Sequence, residues 1–300
     1  MRHFLKITDL SPEEIVIMIE AAKANKGECS SVLAGKSLGM IFAKPSTRTR
    51  VSFTVGAYEL GGHVMFISER EMQLGRGETI EDTARVLSGY LDGVVIRTYR
   101  QDDLDRFASV AGIPVINGLT DERHPCQGLA DLMTVSEFQE DLARVKIVYL
   151  GDGNNVVTSL ASVMAMVGAH VVVCTPPELA LPDWAVLEIS DLAAAGGGKA
   201  EFLSDPPGAV KGANFLYTDV WFSMGQQRVP EKSRQLEPYQ INQALLERAA
   251  PDCRVMHCLP AHRGEEISAE VIDGPQSIVF QQAENRLHVQ KELLKKLMAG

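Results

Sequence analysis

The strongest constraint on how this chain folds is an alternation of short apolar runs with amphipathic stretches that occurs, stops and begins again. After a helix expected over residues 11–23, strand-like runs at 37–43, 63–67, 94–97 and 114–117 are separated by helical periodicity at 47–60 and 80–91 and by a further helix before the last strand. A helix over roughly 127–140 follows. The pattern then restarts at 145–150, the most strand-like segment in the chain. Strands at 171–174, 214–218 and 254–257 alternate with helices after Pro182 and near 240–249, and an amphipathic helix over 284–298 closes the sequence. Strand-helix-strand alternation requires crossovers, and crossovers make parallel sheets. The expected fold class is α/β: two parallel-sheet domains with helices on both faces, joined by interdomain helices.

The restart sets the expected boundaries at 1–140 and 141–283, with 284–300 able to pack back on the first domain. Two domains also follow from length, because 300 residues exceed what one hydrophobic core usually serves. The composition, 45% hydrophobic and 23% charged, is that of a globular chain without low-complexity tracts. Its net charge of −10 argues against general attraction to nucleic acid or to an anionic membrane, so an anionic ligand has to be captured locally. Met1 to Leu10 hold no apolar core of signal-peptide length, and no run approaches a membrane span, so a cytoplasmic location is expected. The five cysteines, Cys29, Cys126, Cys174, Cys253 and Cys258, lack CxxC pairing and are expected to be free.

In parallel sheets, ligands bind beyond the carboxyl ends of strands, which selects the loops to read. The run at 37–43 leads into Ser46, Thr47, Arg48, Thr49 and Arg50 on the first turn of a helix. Free N–H groups, the positive end of the helix dipole and a guanidinium that can hold two oxygens suit a phosphate dianion. An ordinary Ser/Thr cap followed by surface arginines is the alternative. Against it stand two arginines set among three hydroxyls at a strand end. The strand at 94–97 ends in Arg97, and the one at 114–117 leads to His124 and Gln127, where an imidazole and an amide suit a small planar carbonyl compound.

In the second half, Gly151, Asp152 and Gly153 begin like a dinucleotide fingerprint. Val156 stands where its third glycine belongs, however, and the next strand ends in Cys174 rather than an acid. A phosphate-binding loop around Gly35 and Lys36 fails as well, because Ser30 replaces the upstream glycine and the lysine precedes a strand. The strand at 214–218 leads to Asp219 and Ser223, and the strand at 254–257 leads to Cys258. The acid suits a cationic amino group, with Ser223 and backbone groups for a carboxylate. A turn-capping Asp219 and a merely buried Cys258 are the alternatives. Cys253, His257, Cys258 and His262 match no common zinc spacing, and strand alternation sets Cys258 away from the other strand positions, so no metal is expected.

Taken together, these residues resemble the aspartate/ornithine carbamoyltransferase family over nearly the whole chain. The resemblance rests on five motifs in the family's order: STRTR at 46–50, HPCQ at 124–127, DVWFSMG at 219–225, HCLP at 257–260 and AENR at 283–286. The first is shared with the aspartate branch, whereas the Ser-Met-Gly and His-Cys-Leu-Pro elements are those of the ornithine branch. The resemblance implies transfer of a carbamoyl group from carbamoyl phosphate to the side-chain amine of ornithine, without metal or organic cofactor. It places Ser46, Thr47, Arg48, Thr49 and Arg97 on the phosphate and His124 and Gln127 on the carbamoyl group. Asn155, Asp219, Ser223 and Met224 fall on ornithine, and Cys258, Leu259 and Arg286 complete the reaction centre. Arg97, His124, Asp219 and Cys258 are implied to be catalytic, and Arg50 structural.

The family also sends a glutamine into a neighbouring subunit's site; Gln73 occupies that position here, which implies a homotrimer or a multiple of trimers. Two residues depart from the family pattern: Cys126 stands where threonine is common, and Gln281 where an acid is common. The first is expected to bear on local packing and the second on anchoring of the final helix. Other acceptors, putrescine or an acylated ornithine, are the alternative within the enzyme class. A silent binding relative and a nicotinamide-dependent oxidoreductase are the alternatives outside it.

Overall fold

The computed structural model describes residues 2–68, 77–223 and 227–299. It divides into two compact units, Met1–Met133 with Glu284–Gly300, and Thr134–Ala283. In the first, β1 (Ser37–Phe42), β2 (His63–Ser68), β3 (Gly93–Arg97) and β4 (Val115–Leu119) form a parallel sheet in the order β2-β1-β3-β4. The helices α1 (Pro12–Ala24), α2 (Thr47–Glu59), α3 (Ile80–Ser88), α4 (Gln101–Val110) and α5 (Pro125–Phe138) accompany it. The continuous apolar runs of β1 and β3 reflect burial on both faces of the sheet, with Leu38, Met40, Val94 and Val95 at 1% exposure or less. Ser11 starts α1 with a reciprocal capping box to Glu14.

The second unit holds β5 (Lys146–Leu150), β6 (His170–Cys174), β7 (Lys199–Leu203), β8 (Phe215–Thr218) and β9 (Arg254–His257), all parallel in the order β7-β6-β5-β8-β9. Its helices are α6 (Asn155–Met166), α7 (Asp183–Gly196), α8 (Pro206–Ala209), α9 (Pro230–Leu236), α10 (Gln243–Leu246) and α11 (Ala269–Ile272). The last helix, α12 (Val279–Met298), begins in this unit and continues into the first, just as α5 crosses from the first to the second. No described helix is long and apolar enough to cross a membrane.

Besides the short helices α8, α9 and α11, which the sequence pattern does not announce, three elements differ from the sequence expectation. The strand β7 was not anticipated, because Lys-Ala-Glu-Phe-Leu forms a sheet edge with no fully buried residue and therefore carries little apolar signal. The helix expected near 240–249 shrinks to α10, since a 3-10 turn occupies Glu237–Tyr239 and Asn242 caps the helix by accepting from the Leu245 N–H at 3.1 Å. The final helix starts at Val279 rather than at 284.

The strand orders locate the sites. In the first sheet the chain leaves β1 towards β2 on one side and returns to β3 on the other; in the second, β5 and β8 are related in the same way. In parallel α/β sheets, ligands bind beyond the carboxyl ends of the strands at such a reversal of strand order. The glycines after β5 have a structural reason of their own. Gly151 has φ 137, which favours glycine. The Gly153 N–H donates to the Leu179 carbonyl at 2.8 Å, and a Cβ there would lie 2.6 Å from that oxygen.

Candidate active site

In the first unit the Ser46–Arg50 cluster follows β1, and Arg97 ends β3, so both stand at the switch point. Ser46 caps α2, its Oγ accepting from the Thr49 N–H at 3.2 Å. Thr47 is exposed, Ser46 and Arg48 are half-buried, and Thr49 is buried. Arg50 points elsewhere, its guanidinium 3.9 Å from the centre of the Phe66 ring, which packs edge-on against Phe42. Arg97 is 4% exposed and sits where the β3–β4 register shifts between Ile96 and Arg97, a kind of irregularity that re-aims a side chain.

His124 immediately precedes α5, and Gln127 lies on that helix's first turn. Both are joined by Arg286 of α12. Arg286 Nη1 donates to Gln127 Oε1 at 2.6 Å and lies 3.3 Å from His124 Nε2, and Nη2 donates to Thr49 Oγ1 at 3.0 Å. Gln127 Nε2 in turn donates to the buried Asp131 at 2.8 Å. Burial, followed by the charges of Arg286, Arg97 and Arg48, holds the His124 imidazole well below its ordinary pKa. His124 is therefore neutral at pH 7. With Nε2 facing a guanidinium donor, the hydrogen-bond network assigns its proton to Nδ1. Three guanidinium groups thus act on one neutral imidazole beside a capped helix start.

Cys126 fills the place of the commoner threonine without losing a donor, since its thiol points to the Asn117 carbonyl at 3.3 Å. Burial pushes that thiol's pKa up to about 12, so it stays protonated. Gln281 Nε2 donates to Glu137 Oε2 at 2.7 Å, an amide-to-carboxylate bond between α12 and α5 within the second unit.

In the second unit the switch point carries Asp219 after β8 and the loop after β5, tied together by the Thr218 hydroxyl on the Leu150 carbonyl at 2.7 Å. Asp219, 5% exposed, accepts the Cys258 thiol on Oδ1 at 2.9 Å and the Asn154 side-chain amide on Oδ2 at 2.9 Å. Sequence reading named Asn155, which begins α6, and passed over Asn154. Asn154 caps α6 by accepting from the Val156 and Val157 N–H groups at 2.9 and 3.2 Å, which leaves its amide to orient Asp219. An Asn at a helix cap beside a strand end was the available signal. Ser223 lies four residues beyond Asp219 and is half-buried; Met224 and Gln73 lie outside the described residues.

Strand alternation set Cys258 apart from its neighbours, but the ligand atoms of Asp219, His257 and Cys258 lie within 4.8 Å of one another. Alternation lapses because β9 ends at His257 and the chain turns at Leu259, which has φ 56. These side chains already engage one another and their surroundings. Asp219 binds Cys258 and Asn154, and His257 binds the Leu259 N–H and Glu266. Lys232 of α9 adds a contact that sequence reading missed: its Nζ donates to Asp152 Oδ2 at 2.8 Å and lies 5.5 Å from the Phe222 ring centre. Burial raises the Asp152 pKa and Lys232 opposes that rise.

The first unit thus gathers Arg286, Thr49, Gln127 and a neutral imidazole, and the second pairs an acid with a thiol, groups suited to a transferase. Two family models match almost end to end: "Aspartate/ornithine carbamoyltransferase, carbamoyl-P binding domain" over residues 2–137, and "Aspartate/ornithine carbamoyltransferase, Asp/Orn binding domain" over residues 143–297. The chain belongs to the aspartate/ornithine carbamoyltransferase family. It is 52% identical over 296 residues to an ornithine carbamoyltransferase of Bacillus thuringiensis subsp. konkukian, covering 98% of this chain and 93% of that one. The solved ornithine carbamoyltransferase of Pyrococcus furiosus superposes with a TM-score of 0.97 at 48% identity, covering 100% of this chain and 97% of that one. The anabolic ornithine carbamoyltransferase of Campylobacter jejuni gives a TM-score of 0.93 at 35% identity, covering 99% of each chain.

Proposed function

We infer that this enzyme transfers the carbamoyl group of carbamoyl phosphate to the side-chain amine of L-ornithine, giving L-citrulline and phosphate. The observation that carries the reading is Arg286, bonded to Thr49 and Gln127 and 3.3 Å from His124 at one switch point, with Asp219 and Cys258 paired at the other. On this reading Ser46, Thr47, Arg48, Thr49 and Arg97 hold the phosphate, and His124 and Gln127, braced by Arg286, hold the carbamoyl group. Asn155, Ser223 and Met224 bind the amino acid end of ornithine, and Asp219 with Cys258 directs its side-chain amine. Leu259 completes the reaction centre.

The neutral amine attacks the carbonyl carbon, forming the C–N bond while the carbonyl electron pair moves onto oxygen. The pair on oxygen then returns to re-form the carbonyl, and the carbon–oxygen bond to phosphate breaks, its bonding pair leaving with phosphate. The proton shed by the attacking nitrogen is balanced on the departing phosphate. Charge thus builds first on the carbonyl oxygen and then on phosphate, where His124, Thr49 and Arg97 act as fixed donors. Such donors matter most in a buried site, since they need not reorganise during the reaction. Holding both substrates in line adds the proximity contribution. His124 suits the oxygen because, being neutral, it donates a hydrogen bond without requiring a buried cation beside three guanidinium groups.

The same reading includes a role in arginine biosynthesis, a homotrimer or a multiple of trimers with Gln73 donated to a neighbouring site, and a cytoplasmic location. The trimer is supported by the resemblance of segment 72–76 to the family's donated loop. The location is supported by five free cysteines, one of them at the reaction centre, which suit a reducing compartment. A colorimetric ureido-product assay with carbamoyl phosphate against ornithine, putrescine, acetylornithine and aspartate tests the activity. Ornithine is expected to be the only good acceptor, and a preference for any other would overturn the assignment.

A further inference from the structure

The turn carrying Cys258 and Leu259 needs an explanation that neither residue supplies. Leu259 has φ 56, a left-handed conformation that is disfavoured for a residue with a Cβ. Its N–H donates to His257 Nδ1 at 2.8 Å. Nδ1 therefore presents a lone pair, and the ring proton belongs on Nε2. That nitrogen faces Glu266 Oε1 at 3.2 Å, and both side chains are 0% exposed. Glu266 Oε1 also accepts the His262 N–H, so the carboxylate is held from two sides. Burial pushes the Glu266 pKa up, yet the bonds from His257 and the His262 N–H outweigh it and leave the group below the ordinary carboxylate range, an acceptor only. The His257 backbone is fixed in turn by its N–H on Gln282 Oε1 at 2.9 Å.

We propose that His257 and Glu266 are positioning residues: Glu266 selects the Nε2–H tautomer of His257, whose Nδ1 then holds the Leu259 N–H and so sets the turn that presents Cys258 to Asp219. Both side chains are fully buried, which suits a role exerted through a neighbour rather than on substrate. Both act through Cys258, whose thiol must stay 2.9 Å from Asp219. The proposal rests on Asp219 and Cys258 directing the ornithine amine.

Two substitutions of His257 separate tautomer from bulk. In His257→Asn the amide oxygen occupies the place of Nδ1 and still accepts from Leu259. In His257→Gln the acceptor moves one carbon outward, to the place of Nε2. The kcat/KM for ornithine is expected to fall about tenfold or more in His257→Gln, the scale of one lost buried bond, and to recover most of that in His257→Asn. An Asn variant as impaired as the Gln variant, at equal melting temperature, overturns the proposal. Nitrogen-15 NMR of the wild-type enzyme tests it without any variant and without substrate. Signals assigning the proton to His257 Nε2 support the proposal, and a proton on Nδ1 overturns it. Because that readout needs no turnover, its failure is distinct from a failure of the ornithine reading, which the wild-type product assay exposes.

Discussion

Arg286 donates from Nη1 to Gln127 Oε1 across 2.6 Å of space and 159 positions of chain. The same guanidinium holds Thr49, so one residue of the last helix braces the first turns of two other helices, α2 and α5. Arg286→Ala leaves the buried polar atoms of Gln127 and Thr49 without this partner. A charged hydrogen bond of this kind contributes about 1.5–3 kcal/mol, so KM for carbamoyl phosphate is expected to rise about 10- to 150-fold. Steady-state kinetics at saturating ornithine check this; an unchanged KM would remove Arg286 from the site.

Arg48 is half-buried on the first turn of α2, and Ser46, not Arg48, caps that helix. Arg48→Ala is therefore expected to abolish carbamoyl phosphate binding while leaving the fold intact. Calorimetry and circular dichroism on the same preparation separate the two effects, and wild-type affinity would refute the assignment.

The Cys258 thiol donates to Asp219. Cys258→Ser keeps a donor but on a shorter bond, so kcat/KM for ornithine is expected to drop about three- to tenfold, the scale of one hydrogen bond. The KM for carbamoyl phosphate should move less. Equal kinetics for wild type and variant would show the thiol to be incidental.

His124 titrates at lower pH in the folded chain than in the unfolded one, because burial and three guanidinium groups disfavour its charged form. Between its folded pKa and the ordinary value of about 6.5, the unfolded chain binds more protons. Its contribution is thus fully present above about pH 6.5 and is lost as pH falls towards the folded pKa, with a slope of at most about 1.4 kcal/mol per pH unit. His3 and His288 are shifted in the same direction. Urea unfolding between pH 5.5 and 7.5 should accordingly show a shallower slope in His124→Gln than in wild type.

Gly153→Ala should lower stability, because the added Cβ meets the backbone of residues 179–181 at 2.6–2.7 Å. Backbone cannot swing aside as a side chain can, so a loss of about 1–3 kcal/mol is expected in equilibrium denaturation. No loss would mean that this loop relaxes freely.

The alternation of apolar and helical segments made the two parallel sheets legible, since a strand buried on both faces must be written as an apolar run. The edge strand β7 escaped for the converse reason: Lys199 to Leu203 cover little and so carry little pattern. The loops at Ser46–Arg50, Arg97 and His124 were readable because chemistry-bearing residues at strand ends stand out against apolar strands. Arg286 entered only through resemblance to a family, because nothing near it in the chain reveals that its partners are Thr49, His124 and Gln127. Asn154 was overlooked because an Asn before a helix already has a sufficient reason to be a cap.

Local sequence by itself determined which segments are strands and helices and which loops carry anion-binding and acidic groups, because periodicity and side-chain chemistry are properties of neighbours in the chain. Only the tertiary structure decided the strand order that puts β1 beside β3 and β5 beside β8, and with it the two switch points. It alone decided that Cys258 meets Asp219, 39 positions away, and that a buried glutamate holds the histidine behind them. The physical reason is that hydrogen-bond partners and pKa values depend on distance and burial, and the folded chain sets both through contacts between residues far apart in sequence.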